Sequence, residues 1–254
     1  MKPFVVCHMM ASLDGRIDCD MLDALGESKN YYETLKRLKC QAFIEGRVSR
    51  AMHAAAPGKF SDEGGARAGA AVYRAVNDAP NGWAVALDTR GRLLWDENHV
   101  DGKPLLCIVS EAAPEAYLKY LHEKDISYIA TGEQKIDLAQ ALDLLAEKFD
   151  IKRIAVVGGG HVNAAFLAAG LLDEISMLYG PIIDGRAGMA AAFDGLLAGT
   201  APRIVKLSGV EQFDDGCVWM RYVLGQAKPE AKAEAKSETR TAKAETKAKA
   251  SSKK

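Results

Sequence analysis

Three short stretches hold the side chains and backbone amides best suited to binding or reacting with a ligand. The first runs from Arg153 to Leu167, where the apolar Ile154-Ala155-Val156-Val157 passes through Gly158-Gly159-Gly160 and His161-Val162 into an alanine-rich segment. A β-branched run that enters a helix through glycine is a strand-loop-helix corner, which aims backbone N–H groups and the positive helix end at an anion; phosphate is the default ligand. Glycine suits such a corner because a side chain would hold a pyrophosphate away from the backbone. The run is neither G-x-G-x-x-G nor G-x-x-x-x-G-K-[ST], so a phosphate cradle and a plain turn both satisfy it. The second stretch is Glu45-Gly46-Arg47-Val48-Ser49-Arg50, another strand-to-helix corner. Gly46 lets the chain approach a phosphate, Ser49 can hydrogen-bond it, and Arg47 or Arg50 can pair bidentately with a 2′-phosphate; an ordinary surface helix start is the alternative. The third is Ser12-Leu13-Asp14-Gly15 at a strand exit. Asp14 can hold a substrate amide or supply a proton, or it can close an Asx turn before Gly15.

These stretches need a sheet to hold them. Pro3 to Met9, Gln41 to Ile44, Gly82 to Asp88, Pro104 to Val109, Ile126 to Ala130 and Arg153 to Val157 read as strands, and most are apolar enough to be buried on both faces. Helices alternate with them. Ser28 can cap one through Leu38, with Tyr32, Leu35 and Leu38 on its apolar side; Pro114 opens another through His122. Asp137 begins the clearest, with Leu138, Ala141, Leu142, Leu145, Ala146 and Phe149 on one face and Gln140 completing an approximate capping box. Gly170 ends the helix after the glycine corner, and Arg203 to Leu207 with Val218 to Leu224 reads as an antiparallel hairpin around Phe213-Asp214-Asp215-Gly216. His53 to Asn81 reads as a loop beside the site with a short helix. Such alternation predicts an α/β fold with a mostly parallel central sheet flanked by helices.

Composition bounds the rest. The chain has 254 residues, 48% hydrophobic and 26% charged, enough for one sizeable core. Residues 226–254 carry nine basic and four acidic residues, net +5, while the remaining 24 basic and 30 acidic residues give −6. With no large apolar residue, that tail is expected to be disordered, leaving a folded domain over 1–225. A +5 tail could contact nucleic acid; otherwise no nucleic-acid partner is expected. No stretch reaches the roughly 20 apolar residues of a membrane span, no signal peptide opens the chain, and a cytoplasmic protein is expected. Five scattered cysteines without C-x-x-C indicate neither a disulfide framework nor a zinc site, so no metal is expected.

Five motifs occur in the order found in the riboflavin-biosynthesis reductases, the RibD C-terminal family. They are Ser12-Leu13-Asp14-Gly15, Gly46-Arg47-Val48-Ser49, Leu87-Asp88-Thr89-Arg90-Gly91-Arg92-Leu93, Gly158-Gly159-Gly160, and Gly170-Leu171-Leu172-Asp173-Glu174 with Gly180-Pro181-Ile182-Ile183-Asp184-Gly185. The resemblance spans about residues 3 to 224 and implies a dihydrofolate-reductase-like fold and a homodimer. It also implies NADPH-dependent reduction of 2,5-diamino-6-ribosylamino-pyrimidinone 5′-phosphate, or its deaminated uracil counterpart, to the ribitylamino form. Carried over, Gly158 to Gly160, His161 and Val162 lie at the cofactor phosphates, Gly46, Arg47 and Ser49 grip the adenosine side, and Ser12 and Asp14 lie near nicotinamide and substrate. Hydride transfer from a positioned nicotinamide to a C=N carbon rests on orientation and needs no metal; Asp14 or a bound water is the candidate proton donor.

The chain also departs from that family. Val157 stands where a substrate-contacting glutamate is common, Gln41-Ala42 replaces the usual Asp-Ala, and Asn-Pro-x-Leu-x-x-Arg has no clear copy between His53 and Asn81. The H-x-E with P-C-x-x-C deaminase signature is absent. These departures admit a related reductase acting on another pteridine, pyrimidine or imine. A nucleotide-binding protein without reductase activity is the reading from another class.

Overall fold

The computed structural model describes residues 2–17, 29–62 and 65–225. The helix cap expected at Ser28 and the tail from Gln226 lie outside the described residues. Among the described residues eleven strands form one sheet: β1 (Phe4–Ala11), β2 (Ala42–Gly46), β3 (Ala71–Tyr73), β4 (Trp83–Leu87), β5 (His99–Val100), β6 (Lys103–Val109), β7 (Ser127–Ala130), β8 (Arg153–Val156), β9 (Glu174–Tyr179), β10 (Val205–Gln212) and β11 (Val218–Leu224). Their spatial order is β10-β11-β9-β1-β8-β2-β4-β6-β7-β3, with β5 beside β6. The interior pairs from β9 to β7 are parallel, and β11, β10 and β3 join antiparallel at the margins. The α/β fold with a mostly parallel centre and a C-terminal antiparallel hairpin is the one the sequence implies.

The helices are α1 (Lys29–Arg37), α2 (Arg47–His53), α3 (Glu115–Glu123), α4 (Leu138–Phe149) and α5 (Gly160–Ala168). Alternate residues of the central strands feed opposite faces. Val5, Cys7, Met9, Ile44 and Val156 pack with Leu142, Leu145 and Phe149 of α4 and Phe166 of α5. On the other face, Val6 and Met10 pack with Leu38 and Trp219 beside α1, while Ala84, Ala86 and Cys107 pack with Tyr117 and Leu121 of α3. Those two clusters sit over opposite halves of the sheet, with Phe43 and Glu45 of β2 only half-buried between them.

Local rules account for much of this. Asp137 caps α4 by accepting from the Gln140 N–H at 3.0 Å. Its capping box is only half made, because the Gln140 side chain instead accepts from the Thr131 hydroxyl. Elsewhere tertiary packing overrides pattern. The segment expected to hold a short helix near 53–81 instead contributes β3, which pairs with β7; among the described residues no helix lies between α2 and β3. In α1, Tyr32 is 68% exposed and Tyr31 takes the inward place, stacking on His8 with ring centroids 4.8 Å apart.

His8 shows how tightly α1 is bound to the sheet. It is fully buried in β1, with Nδ1 2.9 Å from Ser176 Oγ and Nε2 3.3 Å from both Tyr31 O and Thr34 Oγ1. Burial lowers its pKa from 6.5 to about 4, against hydrogen bonds to Tyr31 and Ser176 that pull the other way. The unfolded chain therefore takes up a proton near pH 6.5 that the folded one refuses. Stability from this group is intact above pH 6.5 and falls as the pH drops to 4, by about 3 kcal/mol. Denaturant titrations across that window are expected to show the fall, and His8→Gln is expected to flatten it.

Candidate functional site

The parallel strands all end at one edge of the sheet, and β8 is inserted between β1 and β2. In open α/β sheets ligands are met at such a crossover, beyond the carboxyl ends of the strands. The insertion brings both glycine corners together. Val157 N donates to Ile44 O at 2.9 Å, and Gly46 N donates to Gly158 O at 2.9 Å. A Cβ on Gly46 would lie 2.7 Å from Val162 Cγ2, so Val162 packs on the second corner rather than reaching outward. Gly159 faces Ser49, whose Oγ would stand 3.7 Å from an added Cβ.

The corners are built to leave donors free. Gly158 has φ +113, a conformation side chains rarely adopt, and its peptide to Gly159 is cis. Val162 N and Asn163 N both return to Gly159 O. Among the described residues no acceptor engages the N–H groups of Gly159, Gly160 or His161, which open helix α5. A row of such donors at a helix start is an anion site. His161 is exposed, its ring lying against Gly195.

Ser12 and Asp14 have other partners. Ser12 is fully buried; its Oγ donates to Asp14 Oδ1 at 2.6 Å and accepts from Arg16 N at 3.0 Å. Asp14 also accepts from Asp184 N at 3.0 Å and Gly185 N at 2.9 Å. These donors, the Ser12 hydroxyl foremost, hold the Asp14 carboxyl well below the usual carboxylate range. Leu13 N donates to Ile182 O, Ile17 N to Ala190 O and Arg16 Nη1 to Met189 O. The strap 180–195 is thus laced to the first loop, and it crosses the start of α5, where Asn163 Nδ2 donates to Ala192 O at 2.7 Å and Asp194 N to Gly160 O at 3.1 Å.

A cleft of about 1420 Å³ has Tyr31, Phe43, Glu45, Ser49, Arg50 and Val157 in its wall. The two arginines proposed for a 2′-phosphate part company here. Arg47 is exposed, whereas Arg50 is 4% exposed and turned onto the sheet, with Nη2 3.4 Å from Phe43 O and 3.5 Å from Glu45 Oε1. Arg50 is therefore withdrawn from the role of outer phosphate clamp. Glu45 was not among the residues singled out from sequence. Its signal was there: an acidic residue in phase with Phe43 on a strand whose alternate residues, Ala42, Ile44 and Gly46, are buried.

A sequence profile of the RibD C-terminal domain matches residues 3–219. The chain belongs to the RibD C-terminal domain family. Over 207 residues it is 28% identical to the 2,5-diamino-6-ribosylamino-4(3H)-pyrimidinone 5′-phosphate reductase of Archaeoglobus fulgidus, covering 77% of this chain and 88% of that one. It is 27% identical over 201 residues to the protein of the same name from Methanothermobacter thermautotrophicus, covering 77% and 85%. Among solved structures, a pyrimidine reductase-like protein from Corynebacterium diphtheriae superposes with a TM-score of 0.65 at 15% identity, over 88% of this chain and 92% of that one. The riboflavin biosynthesis reductase Rib7 of Saccharomyces cerevisiae superposes at 0.57 with 16% identity, over 88% and 90%. The RibD C-terminal fold is thereby shared.

The last two glycines of the corner, Gly159 and Gly160, are expected to separate fold from binding. On Gly160 a Cβ would meet Ala191 O at 2.2 Å, so Gly160→Ala must displace the strap and is expected to cost about 1–3 kcal/mol by overpacking. On Gly159 a Cβ fits at ordinary contact distance, so Gly159→Ala is expected to keep the melting temperature while weakening cofactor binding at least about tenfold, as lost anion contacts would. Thermal melts with cofactor titrations check both.

Proposed function

We propose that this chain is an NADPH-dependent reductase of riboflavin biosynthesis, converting a ribosylamino-pyrimidine 5′-phosphate to its ribitylamino form. The observation that carries the reading is the meeting of two strand-to-helix corners, with free backbone donors, beside a roomy cleft in a RibD C-terminal domain. The names of the curated relatives support the same substrate class.

The residues present fit the cofactor. The N–H groups of Gly159, Gly160 and His161 suit its diphosphate, Ser49 adds a hydroxyl across from Gly159, and exposed Arg47 is the guanidinium available to a 2′-phosphate. Bound NADPH would supply a hydride to the C=N carbon of the opened ribosylimine. The chain's own part is positional. Met9 lies against Gly158, where a Cβ would meet its Sδ at 3.2 Å, so the corner leaves little room for a side chain. The strap, pinned by Asp14 and Asn163, holds the start of α5 in one orientation. A carboxyl that carries three donors gives up its proton readily and is poorly placed to act as an acid. Water is then the proton source for the imine nitrogen, and Asp14 is a positioning residue. A cytoplasmic homodimer is part of the same proposal.

Val157, where a glutamate is common, favours a second reading, a reductase of the same fold acting on another heterocycle. Incubation with NADPH and the ribosylamino-pyrimidine phosphate separates the two: absorbance loss supports the first, and cofactor binding without turnover supports the second. Failure to bind either nicotinamide cofactor would overturn both. Arg47→Ala is expected to raise KM for NADPH about tenfold or more while leaving that for NADH unchanged, as loss of a charge-assisted phosphate contact requires. Asp14→Asn is expected to keep the wild-type shape of the kcat against pH profile. A limb lost in that variant would restore Asp14 as the acid.

A further inference from the structure

The proposed reductase activity leaves two pyrimidines as substrates, and they differ along one edge. In the 2,5-diaminopyrimidinone, the 2-amino group stands beside N3–H, two donors side by side. In the deaminated uracil, N3–H is flanked by carbonyl oxygens on both sides. A carboxylate matches the first edge with two parallel hydrogen bonds and repels the second.

One carboxylate in the cleft wall is placed for this, ion-paired but without a hydrogen-bond donor among the described residues. Glu45 projects from β2 with its side chain 20% exposed, and Arg50 Nη2 stands 3.5 Å from its Oε1, a loose ionic contact. No hydrogen-bond donor among the described residues reaches its oxygens. Arg50 is buried, and its Nε has no acceptor. A buried guanidinium short of acceptors keeps the carboxylate at the wall, and both groups are costly there unless a ligand completes their hydrogen bonding. The register pairs Ile44 with Val156, so Glu45 and Val157 stand side by side at the strand ends and line the same cleft. The Val157 side chain offers that wall no polar atom.

We propose that Glu45 reads the 2-amino/N3–H edge of the pyrimidine, with Arg50 as the residue that positions it, so that this chain takes the 2,5-diaminopyrimidinone in preference to the deaminated uracil. The inference rests on the reductase reading. It adds a residue and a direction of specificity, and it places deamination, where it occurs, after this reduction.

The test is kcat/KM for both ribosylamino-pyrimidine phosphates with wild type, Glu45→Gln and Arg50→Lys, alongside NADPH titration and calorimetric binding of each pyrimidine. The wild type is expected to favour the diamino compound at least about tenfold, since a site built around donors rejects an analogue that lacks them. Glu45→Gln, which can accept one hydrogen bond and donate one, is expected to abolish or reverse the preference through KM, with NADPH affinity unchanged. Arg50→Lys is expected to reduce the same ratio with kcat retained, which mere loss of stability would not do. A wild type that prefers the uracil, or a Glu45→Gln ratio equal to wild type, would overturn the inference and leave the reductase reading intact. Glu45-dependent binding of the diamino compound without turnover would uphold the recognition and overturn the reductase reading; binding of neither pyrimidine would overturn both.

Discussion

The placement of β8 between β1 and β2 is the constraint on which the rest depends. About 100 residues of chain separate β2 from β8, yet the two strands lie in parallel register, with Ala42 opposite Ile154 and Ile44 opposite Val156. Parallel pairing sets both carboxyl ends at the same height. The hydrogen bonds from Val157 to Ile44 and from Gly46 to Gly158 then join one glycine corner to the other. Were β8 at a sheet margin, each corner would be an ordinary turn.

Two carboxylates near this junction have opposite surroundings, and their roles follow from that. Asp14 is satisfied three times over and serves to tie the strap 180–195 to the first loop. Glu45 faces the cleft with a loose ion pair to Arg50 and, among the described residues, no hydrogen bond. The satisfied carboxylate shapes the site; the unsatisfied one is left with capacity for a ligand. In the sequence Asp14 stands out by its loop motif, whereas Glu45 is one residue of a strand.

Several of the motifs that carry the family resemblance turn out to build the scaffold. Asp88 is fully buried and accepts from Arg92 N and Leu93 N, closing the turn after β4, and a Cβ on Gly91 would strike the Tyr117 ring at 2.4 Å. Glu174 is held by Arg221 Nε at 2.5 Å and Arg153 Nη2 at 3.5 Å, tying β9 to adjacent β11 and, across β1, to β8. Asp173 accepts from Val5 N at the opposite end of β1 from the site. Such residues are legible because turns and buried ion pairs demand particular residue types at particular spacings, whether or not a ligand is near.

By itself the sequence determined the α/β alternation, the positions of the glycine corners, the Asp137 cap and the C-terminal hairpin. All of these rest on local periodicity and backbone chemistry, which act over a few residues. Tertiary structure alone decided which corner meets which, that Tyr31 rather than Tyr32 turns inward onto His8, and that residues 71–73 complete the sheet as β3. It also decided that Arg50 lies buried against Glu45 while Arg47 faces solvent, although both stand on the same short helix. The reason is physical: pairing partners and burial are set by surfaces far apart in the chain, and a side chain's charge or ring carries no information about what will be packed against it.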